Sequence, residues 1–492
     1  MKVLLIYPKF PDTFWSFTYA LSFIGKKAAF PPLGLLTVAT LLPEEWPRRL
    51  VDVNVDSLTD NDLKWADMAF IGGMAVQRKS ASQIIARCNA SNLKVVAGGP
   101  LFTSEPDEFK QVDHLVLDEA ELTLPAFLAD LQNGQPKKVY RAPHFCDLGD
   151  TPTPSWNLIK MKRYASMNIQ FSRGCPFNCE FCNVTTLFGH RSRLKTPQQI
   201  ISELDRIYAS GWRGSIFFVD DNFIGNKRYL KTHLLPALIE WRRDKKGCVF
   251  FTEASINLAD DPQLLDMMVT AGFDSVFIGI ESPDETSLTE CHKTQNKNRD
   301  LLESVKIIHR SGLQVMGGFI VGFDSDTPSI FQRQIDFIQK SGIVTAMVGL
   351  LQAPPGTRLF DRLQRESRVV STFSGDNVDG TTNIIPRMGL DRLMDGYQSI
   401  MKQIYSPKNY YRRVRTLLKD LKAPEINQPI NIQRSLSLFR SAFRLGVLGK
   451  ERFHYWPLML WTLFCKPKQI SVAITLSIYG YHYRRICELY IL

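Results

Sequence analysis

"FSRGCPFNCEFCN", residues 171–183, gathers three of the chain's nine cysteines within eight positions. Cys175, Cys179 and Cys182 are spaced C-x3-C-x2-C, and Phe181 precedes the third. Three thiolates from one loop can hold three irons of a [4Fe–4S] cluster and leave the fourth iron open to a ligand, whereas a four-cysteine cluster is complete for electron transfer. Two other readings stand beside this one. A zinc site needs a fourth donor, and His190 follows Cys182 closely enough to supply it, although C-x3-C is not the common zinc couplet. Three unrelated buried thiols are the plainest alternative. Cys88, Cys146, Cys248, Cys465 and Cys487 have no ligand spacing, and Cys291 in "TECHKTQN" reads as an exposed loop thiol.

The loop sits inside a stretch, roughly 161–365, of alternating strand and helix patterns. Strand candidates are "NIQFSR" (168–173), "SIFFVDD" (215–221), "CVFFTEAS" (248–255), "SVFIGIES" (275–282), "VMGGFIVGF" (315–323) and "TAMVGLLQA" (345–353). "TPQQIISELDRIYASG" (196–211) opens with Thr and Pro, as a helix start should. Six such units predict a partial (β/α)6 barrel, whose chemistry belongs at the C-terminal ends of its strands. Polar groups collect there: the cysteines after the first strand, Asp220 and Asp221 after the second, Glu253 in the third, Glu281 and Ser282 after the fourth, Asp324 after the fifth. Asp220 and Asp221 read as an acid/base or metal couple, or as one ligand-facing carboxylate beside one loop group. Glu253 lies in an apolar strand, where a carboxylate needs a partner; cofactor or substrate would provide one.

Upstream, residues 1–145 carry short β-branched runs separated by helix-length segments: 2–8, "VDVNV" (51–55), 69–74, 94–99 and 114–119. That is the pattern of a parallel sheet buried on both faces, a Rossmann-like, flavodoxin-like domain. Ligands bind beyond the carboxyl ends of such strands, here at Pro8, Gly72-Gly73, Gly98-Gly99 and Glu119. Residues 146–160, with "GDTPTPSW", read as an extended linker.

Downstream, residues 366–492 leave the barrel pattern. "SGDNVDGTTNIIPRMG" (374–389) is a long polar loop placed to act as a lid. The rest is mainly helical, basic and aromatic. From Met401 to Leu492 there are sixteen Lys and Arg against four Asp and Glu, a surplus of +12, so with +11 over the whole chain the first 400 residues sit at −1. A basic amphipathic region with Trp and Tyr suits a membrane surface, and equally a helical cap packed on the barrel. The apolar runs "YWPLMLWTLF" and "ISVAITLSIYGY" fall short of the ~20 residues a spanning helix needs. Nucleic acid is disfavoured, because no RNA-binding domain accompanies the charge.

At 492 residues, 44% hydrophobic and 22% charged, the chain reads as globular with two or three domains. Its scattered cysteines make no disulfide framework, which points to a reducing compartment. "MKVLLIYP" is a buried strand and not a signal peptide, so a cytoplasmic location is expected, peripheral to a membrane if the tail binds one.

Together, C-x3-C-x-aromatic-C after the first strand of a partial barrel resembles the radical S-adenosylmethionine (SAM) enzymes. "FFVDDNF" (217–223) is similar to their segment that meets the methionine amino group, "GIES" (279–282) and "GGFIVGFDSDT" (317–327) to their SAM-contacting strand ends, and "APPGT" (353–357) to a common turn. "FPPLGLLTVATLLP" (30–43), "VVAGGPLFTSEP" (95–106) and "LDEAELTLPAFL" (117–128) resemble the cobalamin-binding domain of one subclass, and the order of these blocks is most similar to the family of the hopanoid C-2 methylase and its relatives. The resemblance implies a [4Fe–4S] cluster on Cys175, Cys179 and Cys182. It also implies SAM near Asp220, Asp221, Glu253, Glu281 and Ser282, and cobalamin at Gly98, Gly99 and Glu119. It departs from the family pattern in lacking D-x-H-x-x-G and in carrying Asp118 where a glycine is usual. The activity implied is methylation of an unactivated carbon of a lipid or other apolar small molecule, with electrons from a reductant such as ferredoxin or flavodoxin. A tetrapyrrole-type radical cyclisation and a non-catalytic, membrane-associated metal-site protein are the alternatives.

Overall fold

The computed structural model describes residues 1–376, 378–423 and 432–492; Asn377 of the expected lid, residues 424–431 and the side chains of 431–435 lie outside the described residues. The N-terminal sheet consists of β1 (Val3–Tyr7), β2 (Arg48–Asp52), β3 (Met68–Gly72), β4 (Lys94–Gly98), β5 (His114–Val116) and β6 (Val139–Tyr140). It is parallel throughout, in the order β2-β1-β3-β4-β5-β6. This is the flavodoxin-like order with one strand added, so its switch point lies between β1 and β3. β1 and β3 are almost wholly buried because helices cover both faces.

The second sheet is the partial barrel. Its strands are β7 (Ser166–Ile169), β10 (Ser215–Phe218), β11 (Val249–Glu253), β12 (Phe273–Glu281), β13 (Gln314–Val321) and β14 (Ala346–Leu350). They pair in parallel, in sequential order from β7 to β14. Between β7 and β10 a two-residue antiparallel ribbon, β8 (Ser172–Arg173) with β9 (Arg193–Leu194), closes the base of the cysteine loop.

The excursion between β1 and β2 leaves its own domain and enters the barrel. Asn168 Nδ2 donates to Pro31 O at 3.2 Å, and the Phe30 ring lies 5.4 Å from Phe217, which stacks on Phe251 at 4.6 Å. Phe14 of the same excursion packs against Tyr405 and Tyr483 of the C-terminal region. One continuous apolar core therefore runs from this excursion through the barrel into the C-terminal helices. Those helices dock by polar anchors as well. Tyr405 Oη donates to Ala346 O at 2.6 Å, and the fully buried Arg413 donates to Ile404 O and Val344 O.

Candidate functional site: a cysteine loop over an aromatic cavity

Gly174 turns the chain into the cysteine loop. Its φ is +91°, and a Cβ there would meet Arg191 O at 2.5 Å and Phe188 O at 2.9 Å, so only glycine fits. Asp220 and Asp221 hold the entry. Asp220 accepts from Phe171 N, Ser172 N and, at 2.5 Å, Ser172 Oγ, while Asp221 accepts from Gly174 N at 2.9 Å. Burial pushes Asp220 up to about 7 and Asp221 up to about 6, and their mutual repulsion adds to Asp220's rise. Further along, Glu180 N donates to Cys291 O at 2.9 Å, and the Glu180 carboxylate takes both ends of the Arg362 guanidinium at 2.8 and 3.1 Å. Arg362 also bonds Asp324 at 2.9 Å, which ties the loop to the end of β13.

The three thiols are partly exposed and close enough to act on one another's charge. Burial pushes Cys182 up to about 12 and raises Cys175, so thiolates here need positive charge beside them. Lys293 is such a charge: it acts on Cys179 and Cys182 and pairs with Glu281 at 2.7 Å. Asn222 Nδ2 points at Cys175 Sγ (3.9 Å) and Gln295 Nε2 at Cys179 Sγ (3.7 Å). Among the described residues no three His, Cys, Asp or Glu side chains converge on a single ion, as a zinc tetrahedron would require. A thiol-only donor set with amide and ammonium groups aimed at the sulfurs fits an iron–sulfur cluster.

Beside the loop, a cavity of about 250 Å³ opens at the ends of β12, β13 and β14. Trp15, Phe181, Phe277, Phe319, Met347 and Phe373 make its walls apolar, and Glu281 is its charged lining residue. Glu281 holds a positive φ of 63° where the β12–β13 register shifts, which turns its side chain toward Lys293. Ser282 beside it is fully buried and accepts from Asp284 N, a local turn contact. Phe373 and Gly375, at the start of the polar loop, cover the cavity, held by Gln352 Nε2 on Asp376 O at 2.9 Å. Glu253 ends β11 in register with Phe277, and no hydrogen bond or ion pair to it is found among the described residues. Burial, then Asp221 and Asp220, push its carboxyl up to about 8. A larger open depression of about 630 Å³ lies on the outer helices around Pro197–Ala209 and has no cysteine or barrel strand in its lining.

At the crest of the N-terminal sheet the expected residues have other partners. Gly98 is needed because a Cβ would come within 2.4 Å of Val116 O on β5. Gly99, at φ +89°, starts the short helix Pro100–Ser104. Glu119 is buried and shared by Arg173 at 3.0 Å, Arg193 at 2.9 Å and Cys146 N at 2.7 Å. Arg173 is thereby committed between Glu119 and Glu121, and Lys195 to Glu203 at 2.5 Å. Asp118 has φ +62°, which explains why glycine suits this position; its carboxylate instead accepts from Ala142 N. His114, the histidine within this sheet's strands, lies at the opposite, N-terminal end of β5 and bonds Lys137 O. The crest thus offers backbone and small side chains to a flat ligand and no strand imidazole to its metal.

Two expectations are corrected. Cys291 is buried, with its thiol donating to Leu288 O, because its backbone carbonyl braces the cysteine loop. "VDVNV" is not the second strand; the chain pairs three residues earlier, at Arg48–Asp52. Lys293 and Trp15 escaped the sequence reading, since nothing local distinguishes them from surface or core residues, and Phe30, which belongs by sequence to the N-terminal segment, packs against the barrel's Phe217.

A model of the Radical SAM superfamily matches residues 169–338, and a model described as a domain of unknown function, DUF4070, matches residues 357–491. The chain is 41% identical over 498 residues to the "uncharacterized methyltransferase sll1242" of Synechocystis sp., covering 99% of this chain and 92% of that protein. It is 35% identical over 473 residues to the hopanoid C-2 methylase of Rhodopseudomonas palustris, covering 93% of this chain and 89% of that one. Its fold is similar to that of the cobalamin-dependent S-adenosylmethionine radical enzyme OxsB, with TM-score 0.62 at 15% identity over 99% of this chain and 84% of that chain. With a three-cysteine loop above a six-stranded parallel barrel and near full-length identity to these relatives, the chain belongs to the radical SAM superfamily, in the family of the hopanoid C-2 methylase and its relatives.

Proposed function

We propose that this protein is a cobalamin-dependent radical SAM C-methyltransferase acting on an unactivated carbon of an apolar, hopanoid-like lipid. The observation that carries the reading is the juxtaposition of the cysteine loop with an aromatic-walled cavity that Phe181 of the same loop helps to line. When bound, the cluster with SAM supplies a carbon radical able to take hydrogen from an unreactive C–H bond, and cobalamin supplies the methyl group.

Cys175, Cys179 and Cys182 would hold three irons, with Lys293 offsetting the negative charge of their sulfurs. Asp221 and Glu253 lie within electrostatic reach of each other and would take SAM's ammonium or hydroxyl groups, since Asp221 spends one oxygen on Gly174 and Glu253 none on the protein. Asp220, fully bonded to the loop entry, orients that loop and does not reach a ligand. Glu281 and Ser282 shape the rim, with Glu281 fixing Lys293. The walls from Trp15 to Phe373 are mainly apolar, with Glu281 and Gln352 as polar exceptions, and would limit water beside the reacting groups, which suits a largely hydrocarbon skeleton. Gly98 and Gly99 would let a corrin approach the crest, while Glu119 keeps the crest joined to the cysteine loop through Arg173. A ferredoxin or flavodoxin would deliver the electron, in the cytoplasm.

The test is anaerobic reconstitution with iron, sulfide and hydroxocobalamin, followed by SAM, a strong reductant and a hopanoid. 5′-Deoxyadenosine and S-adenosylhomocysteine should accumulate together with methylated hopanoid, and both should fall below detection in Cys179→Ala. 5′-Deoxyadenosine without S-adenosylhomocysteine would instead favour a cyclisation or rearrangement, and neither product would end the catalytic reading.

A further inference from the structure

The outer surface of the C-terminal region carries clustered apolar side chains bordered by basic ones. Two consecutive helices, Ile432–Phe443 extended by Arg444–Leu448, and Arg452–Cys465, form a hairpin. The second helix buries Tyr455, Leu458, Met459 and Thr462 against the body of the protein. Phe453, Trp456, Leu460 and Leu463 recur at spacings of three and four on its other side, all exposed. The first helix exposes Leu436, Phe439, Phe443 and Val447 in the same rhythm. Trp456 joins the two stripes, its indole donating to Gly446 O at 2.9 Å.

Scattered exposed apolar residues are ordinary, and clustered ones mark a contact surface. Among the described residues, twenty large hydrophobic side chains are exposed and eleven of them lie between Leu436 and Phe464. Phe439, Phe453 and Phe464 are 70%, 72% and 80% exposed, more than any other. The charge around them has one sign. Lys450 and Arg452 stand at the hairpin turn, Lys466 and Lys468 at its far end, and Arg452 lies over the Phe453 ring at 4.9 Å. The acidic residue of this segment, Glu451, is buried against Arg484 at 2.6 Å and offers no negative charge to a partner.

We propose that this hairpin is a membrane-docking surface that lies in the headgroup region of an anionic bilayer, with its phenylalanines in the acyl boundary and its lysines and arginines on lipid phosphates. Aromatic rings flanked by Lys and Arg on an amphipathic helix suit that interface. A second copy of the chain would set this positive surface against itself, which favours lipid over self-association. No helix among the described residues is long and apolar enough to cross a membrane, so contact is in the plane of the surface. On its inner side the hairpin bonds the helix Thr18–Ile24 through Arg440 to Phe23 O at 3.0 Å and Arg444 to Ser22 Oγ at 3.1 Å. That helix begins three residues after Trp15 in the cavity wall, so a docked bilayer would lie beside the chain segment leading to the cavity. The docking surface is argued from its own residues and holds whatever the enzyme's product.

The test is co-flotation of the full-length, anaerobically reconstituted protein with vesicles of phosphatidylcholine alone or mixed with phosphatidylglycerol. The protein should float with the mixed vesicles at low salt and less as salt rises. Phe453→Glu/Phe464→Glu should lower partitioning by roughly tenfold or more, with an unchanged thermal melt, because both side chains are exposed. Lys450→Glu/Arg452→Glu should weaken binding to the mixed vesicles without abolishing it. Absence of flotation, or a double glutamate variant that floats as the wild type does, would overturn the proposal. So would a wild-type dimer, seen by sedimentation, that the same substitutions dissociate.

Discussion

Glu253 is a carboxylate at the end of a barrel strand with no bond to it found among the described residues, held up to about 8 by burial and by Asp221 and Asp220. The unfolded chain titrates near the ordinary value of 4.5. Between those values the folded state keeps a proton that the unfolded state releases, so stability falls as pH rises through the window. Asp220 and Asp221, raised in the same direction, steepen the fall in its lower half. Glu253→Gln removes the largest contribution. The variant is expected to be more stable than wild type at about pH 8.5, by an amount on the order of a few kcal/mol, and to converge with it near pH 4.5. Urea midpoints across the range would check this. A wild type that stays as stable at high pH as the variant would mean the carboxylate has a partner. In the assay, the same variant should raise the KM for SAM more than it lowers the yield of cluster, as a ligand contact requires.

At the scale of an element, the cysteine loop is a tight turn clamped from three sides. The Asp220–Asp221 pair holds its entry, Cys291 O its middle, and Arg362 its Glu180. Gly174→Ala would drive a methyl group into two carbonyl oxygens at a φ that alanine avoids. Expected loss is roughly 2–4 kcal/mol, seen as a lowered melting temperature and as fewer irons per chain after reconstitution. Normal iron content with a normal melt would mean the turn relaxes freely. The helix 197–209 and the strands were readable because their signals are local: Thr196 caps, Pro197 starts, and short apolar runs of aromatic and β-branched residues mark β10 to β14. β2 was misplaced because it is an edge strand opening with Arg48 and Arg49, whose apolar run marks only its second half. β6, two residues long, leaves no pattern to find.

At the scale of the molecule, three regions are joined by side chains from distant parts of the sequence. Arg173 and Arg193, flanking the cysteine loop, both reach Glu119 at the crest of the N-terminal sheet, and Arg173 also takes Glu121 at 2.7 Å. All four side chains are largely buried, so breaking the set leaves uncompensated charge away from water. Arg173→Met is expected to cost about 3–5 kcal/mol and to loosen the crest from the barrel. Thermal unfolding should then split into two transitions, with the N-terminal sheet melting first. A single transition at the wild-type temperature would show that the apolar contacts of the 8–32 excursion suffice to hold the two together.

The sequence by itself determined the fold class, the cysteine motif and the set of polar groups at the strand ends. Each follows from spacing along the chain: period two for strands, three to four for helices, C-x3-C-x2-C for the thiols. What the tertiary structure decided is which of those groups remain free. Asp220, Glu119 and Arg173 are consumed by one another's regions, while Glu253 has no hydrogen bond or ion pair among the described residues and Lys293 arrives beside the thiols from 111 residues beyond Cys182. Phe30, read as part of the N-terminal domain, stacks inside the barrel. The same holds for the C-terminal region, whose composition allowed both a packed cap and a membrane surface. Burial makes Tyr405, Arg413 and Tyr410 part of a packed cap, whereas the hairpin keeps its large apolar side chains exposed. Such assignments depend on contacts between residues tens to hundreds of positions apart, and no local pattern encodes them.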